Sequence, residues 1–410
     1  MGWRAWLGLD MTPARFVRQV SKLMQEASPG LVLAADVENF RLIKGEGDYI
    51  NLHNVYHTWQ NMPRRDRDQV IAHFVHSILN VPALPATFDA VRPLLLPALR
   101  RKSLLDYIQR EAPTGTPNVP GYVHRDVGPD IVLVLAIDAE QTISLVMDAT
   151  FNDWGVTFEQ ALAVAMDNLR DRSADSFMPF DGVPGLVRSN WNDGYDSSRI
   201  LLPDLMYRGV GSGNPVIMIP TRETLLLAPD HQPAALLAML AGAGRALSDS
   251  SRWCSTAMYQ LVDGKMVLYA PPDAAVREAL RVLEREVAMA DYADQKQQLD
   301  KLYERDGVDI FVASFGTMQK DGQIQSFCSW TDEVDAILPR TDVVALARNG
   351  PDEQFNMVLV DWQTLSARHG DLLQELPDFP PRYRVSAFPT ELFEELLAAK
   401  QRAAVMQNAR

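Results

Sequence analysis

Hydrophobic positions recur along this chain in two rhythms. Between residues 65 and 79, Val70, Ile71, Phe74, Val75 and Ile78 return every three or four positions, which lays them on one face of a helix. Residues 130–138 instead run almost unbroken through Ile131, Val132, Leu133, Val134, Leu135, Ala136 and Ile137, as a buried strand does, and residues 142–146 supply a partner across a short turn. Read this way, the chain predicts an α+β fold of strand hairpins and helices, because the strands come in adjacent pairs rather than in regular β-α-β alternation.

The first unit, residues 1–112, is expected to run α-β-β-α. It has a helix over 13–27, strands at 31–34 and 40–43, a turn at 45–48, and then the helix over 65–79. Residues 49–52 open either a short strand or the helix that follows. The central unit, residues 113–272, starts after a Pro/Gly-rich break at 113–121. Thr157 and Gln160 form a capping-box pair that opens a helix to Leu169, and a strand is expected near 198–202. A hairpin around Thr221 and Arg222, a helix over 233–247 and a second hairpin turning at Asp263-Gly264 complete this unit. Residues 273–306 are alanine-rich and charge-dense, lack glycine and proline, and read as a helical connector. The C-terminal module, residues 307–410, resets to strands at 310–313, 324–327, 343–347 and 355–360, with helices expected at 331–337 and 390–400.

Composition narrows the function classes. A chain of 410 residues exceeds what one core serves, and 47% hydrophobic residues suffice to fill several. Its formal charge of -14 repels phosphate backbones at long range, so nucleic-acid binding is not expected. The basic stretches Arg64-Arg65-Asp66-Arg67 and Arg100-Arg101-Lys102 are short and read as solvated helix ends. Cys254 and Cys328 are too few and too far apart for a disulfide framework. No apolar run approaches the ~20 residues of a membrane helix. Residues 1–9 lack a signal-peptide pattern, so a cytoplasmic protein is expected.

Candidate chemistry is sparse. His53 and His57 stand at i and i+4, and His73 and His76 at i and i+3, so two facing helices could close a metal site. Asn54 stands where the zincin pattern has glutamate, and a polar-face role for these histidines is the simpler reading. The glycines of residues 209–213 precede a strand rather than open a helix, which marks a flexible turn and not a phosphate loop. Cys254 has no nucleophile signature and reads as a small buried hydrophobe. Arg125, Arg188 and Arg222 lie near strand ends, where a guanidinium could hold an anion or form a salt bridge. No cofactor is expected.

Two resemblances add to this reading. Leu52-His53-Asn54-Val55-Tyr56, Arg67-Asp68-Gln69-Val70-Ile71, the strand at 130–138, Trp154-Gly155-Val156-Thr157, Ala165-Met166-Asp167-Asn168-Leu169 and the segment 214–223 together resemble the YtpQ-like family of uncharacterised bacterial proteins over residues 13–270. The resemblance implies no catalytic residues. Asp321-Gly322, Phe327-Cys328-Ser329-Trp330 and Asp332-Glu333-Val334 are similar to the N-terminal domain of the enhanced serine sensitivity family, which implies a small α+β module without an active site. The function expected is therefore a non-catalytic interaction protein, an adaptor or immunity-type factor whose acidic surface suits a basic protein partner. A hydrolase or nucleotide-processing enzyme and a small-ligand sensor are the alternatives.

Overall fold

The computed structural model of the chain describes residues 11–45, 48–80, 85–110, 121–139, 142–250, 252–320, 323–350 and 355–408. It is a mixed α+β structure in two units, one spanning Met1–Arg100 with Ala112–Val276, the other Arg101–Glu111 with Arg277–Arg410.

In the first unit, Thr12 caps helix α1 (Pro13–Ala27) by accepting from the Arg15 amide at 3.3 Å, and Pro13 fills a first-turn position that needs no amide donor. The apolar face Phe16, Val17, Val20 and Met24 packs with Leu42, Leu52, Trp59 and Ile71 in one core. Strands β1 (Leu33–Asp36), β2 (Arg41–Lys44) and β3 (Asp48–Asn51) form an antiparallel sheet, followed by α2 (His53–Asn61) and α3 (Arg67–Leu79). The order is α-β-β-β-α-α and not α-β-β-α, since Tyr49 and Ile50 pair with Ile43 and Leu42 before the chain turns into α2.

The next strand, β4 (Leu95–Arg101), corrects the reading of its basic end. Arg100 is not at a solvated helix end but in a buried strand, only 5% exposed. Pro97 within it hides the strand in the sequence, and the structure accommodates that proline by placing β4 at the edge of its sheet. That sheet contains β5 (Arg125–Asp126), β6 (Ile131–Ala139) and β7 (Thr142–Leu145), with β6 paired to β4, β5 and β7. Helix α4 (Phe158–Asp171) begins at the complete capping box of Thr157 and Gln160.

A six-stranded sheet holds β8 (Phe177–Pro179), β9 (Val187–Ser189), β10 (Pro215–Thr221), β11 (Thr224–Pro229), β12 (Tyr259–Val262) and β13 (Lys265–Leu268), in the order β13-β12-β10-β11-β9-β8. Helices α5 (Pro203–Val210) and α6 (Pro233–Asp249) flank its central strands in sequence. Asp263 and Gly264 both have positive φ, the turn geometry that matches strand twist in a two-residue hairpin. The β10–β11 turn falls on Arg222 and Glu223, one residue later than expected, after a register shift between Met218 and Thr221. Residues 198–202 are not a strand. Ser197–Leu201 is a 3-10 helix, its turns closed by Ser198 N to Tyr195 O at 3.0 Å and Arg199 N to Asp196 O at 3.2 Å. Consecutive burial of Tyr195 through Ile200 leaves no alternation to support a strand.

The second unit takes in most of the 33-residue helix α7 (Ala274–Asp306), which follows β13 along the chain. The sequence read it as a connector, but most of it is part of this unit: Tyr292 donates to the Pro381 carbonyl at 2.8 Å and Gln295 to Pro380 at 2.9 Å. One sheet joins β14 (Phe311–Val312), β17 (Ala336–Pro339), β21 (Arg382–Val385) and β20 (Gln374–Glu375). The other joins β15 (Gly316–Lys320), β16 (Gln323–Thr331), β18 (Val343–Asn349) and β19 (Phe355–Asp361). The helix expected at 331–337 is absent. β16 runs to Thr331, Glu333 takes a positive φ in the turn, and the fully buried Ala336–Pro339 pairs on both sides as β17. Helices α8 (Trp362–His369) and α9 (Thr390–Asn408) contribute to a core with Trp330, Leu338, Leu346, Leu365 and Phe393.

The short helix Lys102–Arg110 also belongs to this unit, where Arg110 pairs with Asp378 at 2.5 Å and Asp106 accepts from the Phe379 amide at 2.6 Å. No helix of the described residues is long and apolar enough to cross a membrane.

Candidate functional site

The four histidines lie on α2 and α3 and do not gather. The His53 ring bonds the Asn51 side chain at 2.8 Å, His57 faces Asn61, and His76 faces Asn80 at 3.1 Å; His73 is exposed. Among the described residues there is no group of three or more His, Cys, Asp or Glu side chains able to hold a metal ion.

The three arginines have separate surroundings. Arg125, on β5, is exposed and ion-paired with Glu159. Arg188, on β9, bonds the Ser189 carbonyl at 3.4 Å and sits 5.7 Å from the Phe180 ring centre. Arg222, at the β10–β11 turn, differs from both. Its Nε is shielded from water and has no hydrogen-bond partner.

The backbone around Arg222 explains how it is placed. Residues 252–255 return antiparallel to the end of β10, with Arg222 N bonded to Arg252 O at 3.2 Å, Cys254 N to Pro220 O at 2.8 Å and Ser255 N to Ile219 O at 3.0 Å. A bridge between Thr221 and Trp253 lies inside this ladder. Arg252 is thereby set beside the turn, where it takes the Glu223 carboxylate at 2.9 Å. A triangle of hydrogen bonds holds the same segment: Ser255 Oγ donates to Asp130 at 2.7 Å, Tyr259 OH donates to Asp130 at 2.5 Å, and the two hydroxyls lie 2.9 Å apart.

Arg100, on β4, is a second cation whose titration is affected by the charge of Arg222. Nη1 of Arg100 donates to the Leu99 carbonyl at 2.7 Å, and no ion pair to a carboxylate is formed by either arginine among the described residues. Burial, and next the charge of Arg222, bring the Arg100 pKa down to about 9. Arg222 is lowered as well, first by burial and then by Arg252, while Cys254 and Glu223 act the other way. Such depression is the expected mark of cations kept close together in a poorly solvated place.

Next to this pair stands a polar spine from the loop 190–199. Tyr195 is buried 3.5 Å from Asp138, and burial followed by that carboxylate raises its pKa. Asp138 is itself held by Arg172 at 2.5 Å. Arg199, fully buried, is clasped by Asp193 at 2.9 and 2.7 Å, bonds Ser173 and the Arg172 carbonyl, and stacks on Trp191 at 4.3 Å. Asp193 is held below the usual carboxylate range: burial opposes this, but the Arg199 and Tyr195 hydrogen bonds outweigh it. Asp196 goes the other way, raised chiefly by burial, with neither oxygen hydrogen-bonded and Ser189 offsetting only part of the effect.

The second unit carries an open cleft of about 710 Å³ lined by Arg340, Asp342, Asp361, Gln363, Ser366 and Tyr383, among others. Its charges are mixed, and Asp342 already accepts from Ser326 at 2.8 and 2.9 Å and pairs with Arg285 at 3.3 Å. The first-unit centre differs in that Arg222 Nε is shielded from water and has no acceptor. Sequence reasoning singled out Arg222 and not Arg100, whose burial is signalled only by the apolar run Leu95-Leu96 and Ala98-Leu99 ahead of it.

No family model matches the chain, and no solved structure matches it. It is similar to UPF0354 proteins of Bacillus cereus, from strains AH187 and ZK / E33L, and of Bacillus thuringiensis subsp. konkukian. Each is 28% identical over 138 residues, which is 33% of this chain and 47% of the relative. The chain thus spans about half the length of the curated relatives it matches, and the likeness is to an uncharacterised bacterial family.

Proposed function

We propose that the protein is a non-catalytic binding protein that holds an anionic group at the Arg100–Arg222 centre of its first unit. The observation that carries this reading is the shielded Arg222 Nε with no acceptor, and the lowered pKa of the buried Arg100, to which the Arg222 charge contributes, supports it. A buried donor left unsatisfied costs about 1–3 kcal/mol, and more when it is charged. An oxyanion removes that penalty and relieves the repulsion between the two cations in one step. Guanidinium groups suit the task, since their planar forks match carboxylate and phosphate oxygens.

The neighbouring hydroxyls favour holding over reacting. Tyr195 and Tyr259 both have pKa values raised by burial and by nearby carboxylates, so neither serves as a base at neutral pH. The resemblance of the first unit to the YtpQ-like family and of the second to the enhanced serine sensitivity family supports the same non-catalytic reading, as does the absence of a catalytic frame in the motifs that carry it. A cytoplasmic setting fits two cysteines that form no disulfide with each other.

A second reading, the protein adaptor, is favoured by β13. This strand is an edge of the six-stranded sheet and leaves Leu268 57% exposed. With the net charge of -14, a partner with a basic surface is the complementary choice.

Thermal unfolding of the full chain in a panel of oxyanions at fixed ionic strength tests the first reading. Stabilisation by oxyanions that Arg222→Gln abolishes is the expected outcome. An unfolding temperature indifferent to every oxyanion would overturn it.

A further inference from the structure

The cleft of the second unit is lined by two opposite charges that do not pair, and its walls are partly apolar. We propose that this cleft binds a free zwitterionic α-amino acid with an aromatic or large apolar side chain. The site is separate from the anion site of the first unit.

At about 710 Å³ the cleft falls within the ~300–1,000 Å³ usual for small-molecule sites. Three loop or strand-end positions supply its charges: Arg340 follows β17, Asp342 precedes β18, and Asp361 ends β19. Asp342 is already committed. Its Oδ2 accepts from the Ser326 amide at 2.8 Å and hydroxyl at 2.9 Å, and it pairs with Arg285 at 3.3 Å. Arg340 and Asp361 differ from it. Both are exposed, and among the described residues neither side chain enters an ion pair or a hydrogen bond, with the other or with any third group. Asp361 even holds the N-cap position of α8 without bonding the first-turn amides, the usual use of an aspartate there.

With Asp342 and Arg285 cancelling each other, the cleft is left with one uncommitted cation and one uncommitted carboxylate. A simple anion satisfies Arg340 and is repelled by Asp361, and a simple cation meets the reverse. A molecule that carries both charges satisfies both groups at once. An α-amino acid does so at neutral pH, its carboxylate matching the planar fork of a guanidinium and its ammonium the carboxylate of Asp361.

The remaining lining selects the side chain. Trp362 and Tyr383 are in tilted contact, with ring centres 4.9 Å apart at 56°, and Leu373 lies half-buried in the same wall. Apolar surface of this kind gains by covering an aromatic or branched side chain and gains little from a methyl group.

The test is calorimetric titration of the full-length protein at pH 7 with five ligands. Phenylalanine carries both charges, phenylalaninamide only the ammonium, N-acetyl-phenylalanine only the carboxylate, and N-acetyl-phenylalaninamide neither; alanine keeps both charges without the ring. Phenylalanine is expected to bind most tightly, and each charge removed to weaken binding about fivefold, the worth of one exposed ion pair. Arg340→Gln is expected to abolish the advantage of phenylalanine over phenylalaninamide, and Asp361→Asn its advantage over N-acetyl-phenylalanine. Both substitutions are at exposed positions, where effects on folding are small. Four phenylalanine ligands binding within about twofold of one another would overturn the zwitterion. Tightest binding by the doubly capped compound would overturn it in favour of an internal peptide segment. Alanine equal to phenylalanine overturns the apolar half of the proposal, and silence from all five overturns the whole.

Arg222→Gln, in the first unit, is expected to leave phenylalanine binding unchanged. Loss of binding in that variant alone would place the amino acid's carboxylate at the first-unit site, which removes the cleft and leaves the anion reading standing.

Discussion

Arg382 in the second unit is a buried cation and Arg222 in the first a half-buried one, and they teach opposite lessons. Arg382 is fully buried, and each of its side-chain nitrogens has an acceptor: Gln295 Oε1 at 2.5 Å, the carbonyls of Ala313 and Ile337 at 2.9 and 3.4 Å, and that of Tyr292 at 3.1 Å. It gathers α7, β17 and the turn after β14 around one side chain. Burial lowers its pKa to about 10, yet nothing about it invites a ligand. Arg222 has a shielded nitrogen with no acceptor. A cation saturated by neutral acceptors is scaffold, while one left short of them is a place for something else to bind.

The comparison can be broken by measurement. Arg382→Leu, which strands four acceptors, is expected to cost about 3–5 kcal/mol in urea unfolding. A smaller loss than that of Arg222→Leu would reverse the contrast.

Arg199 is the intermediate case, a buried cation with its own carboxylate. Asp193→Asn is expected to cost about 2 kcal/mol at neutral pH, less than a fully buried pair because Asp193 is partly exposed. The folded-state pKa of Asp193 is depressed, so its stabilisation is present above the unfolded value near about 3.9 and is lost as pH falls through the folded value. The difference between variant and wild type should vanish in acid.

Asp196 carries the opposite sign. Its folded-state pKa is raised, so folding is penalised once pH exceeds the unfolded value, and Asp196→Asn is expected to raise stability by about 1 kcal/mol at pH 7 and by nothing near pH 3. Thr157→Ala, which removes one half of a capping box far simpler than these charge centres, should cost about 1 kcal/mol. Arg222→Gln without an added anion is expected to cost nothing and to gain up to about 1 kcal/mol, because it removes a shielded donor that has no acceptor. Guanidinium chloride is unsuitable for these curves, being a cation that competes for the same ligand, so urea is the denaturant to use.

Local signals and long-range ones separated cleanly between sequence and structure. The helix over 13–27, the capping box at Thr157 and the turn at Asp263-Gly264 are written in adjacent residues and appear where the pattern places them. The 3-10 helix at Ser197–Leu201 and strand β17 were misread because burial there is continuous, so periodicity has nothing to reveal. The effect of Arg222 on Arg100 was invisible for another reason. It links a proline-containing edge strand to a hairpin turn more than a hundred residues later, and no local pattern encodes that link. Of the candidate site, the sequence offered Arg222 alone, as an arginine near a strand end.

The discontinuity of the second unit bears on how the chain is made. Helix Lys102–Arg110 leaves the ribosome long before its partner Asp378, which lies 268 residues further on. At about 5–20 residues per second, translation keeps Arg110 waiting roughly 13–54 s for that carboxylate. Throughout that interval the nascent first unit can mature while this nine-residue amphipathic helix of the second unit has yet to meet its partners.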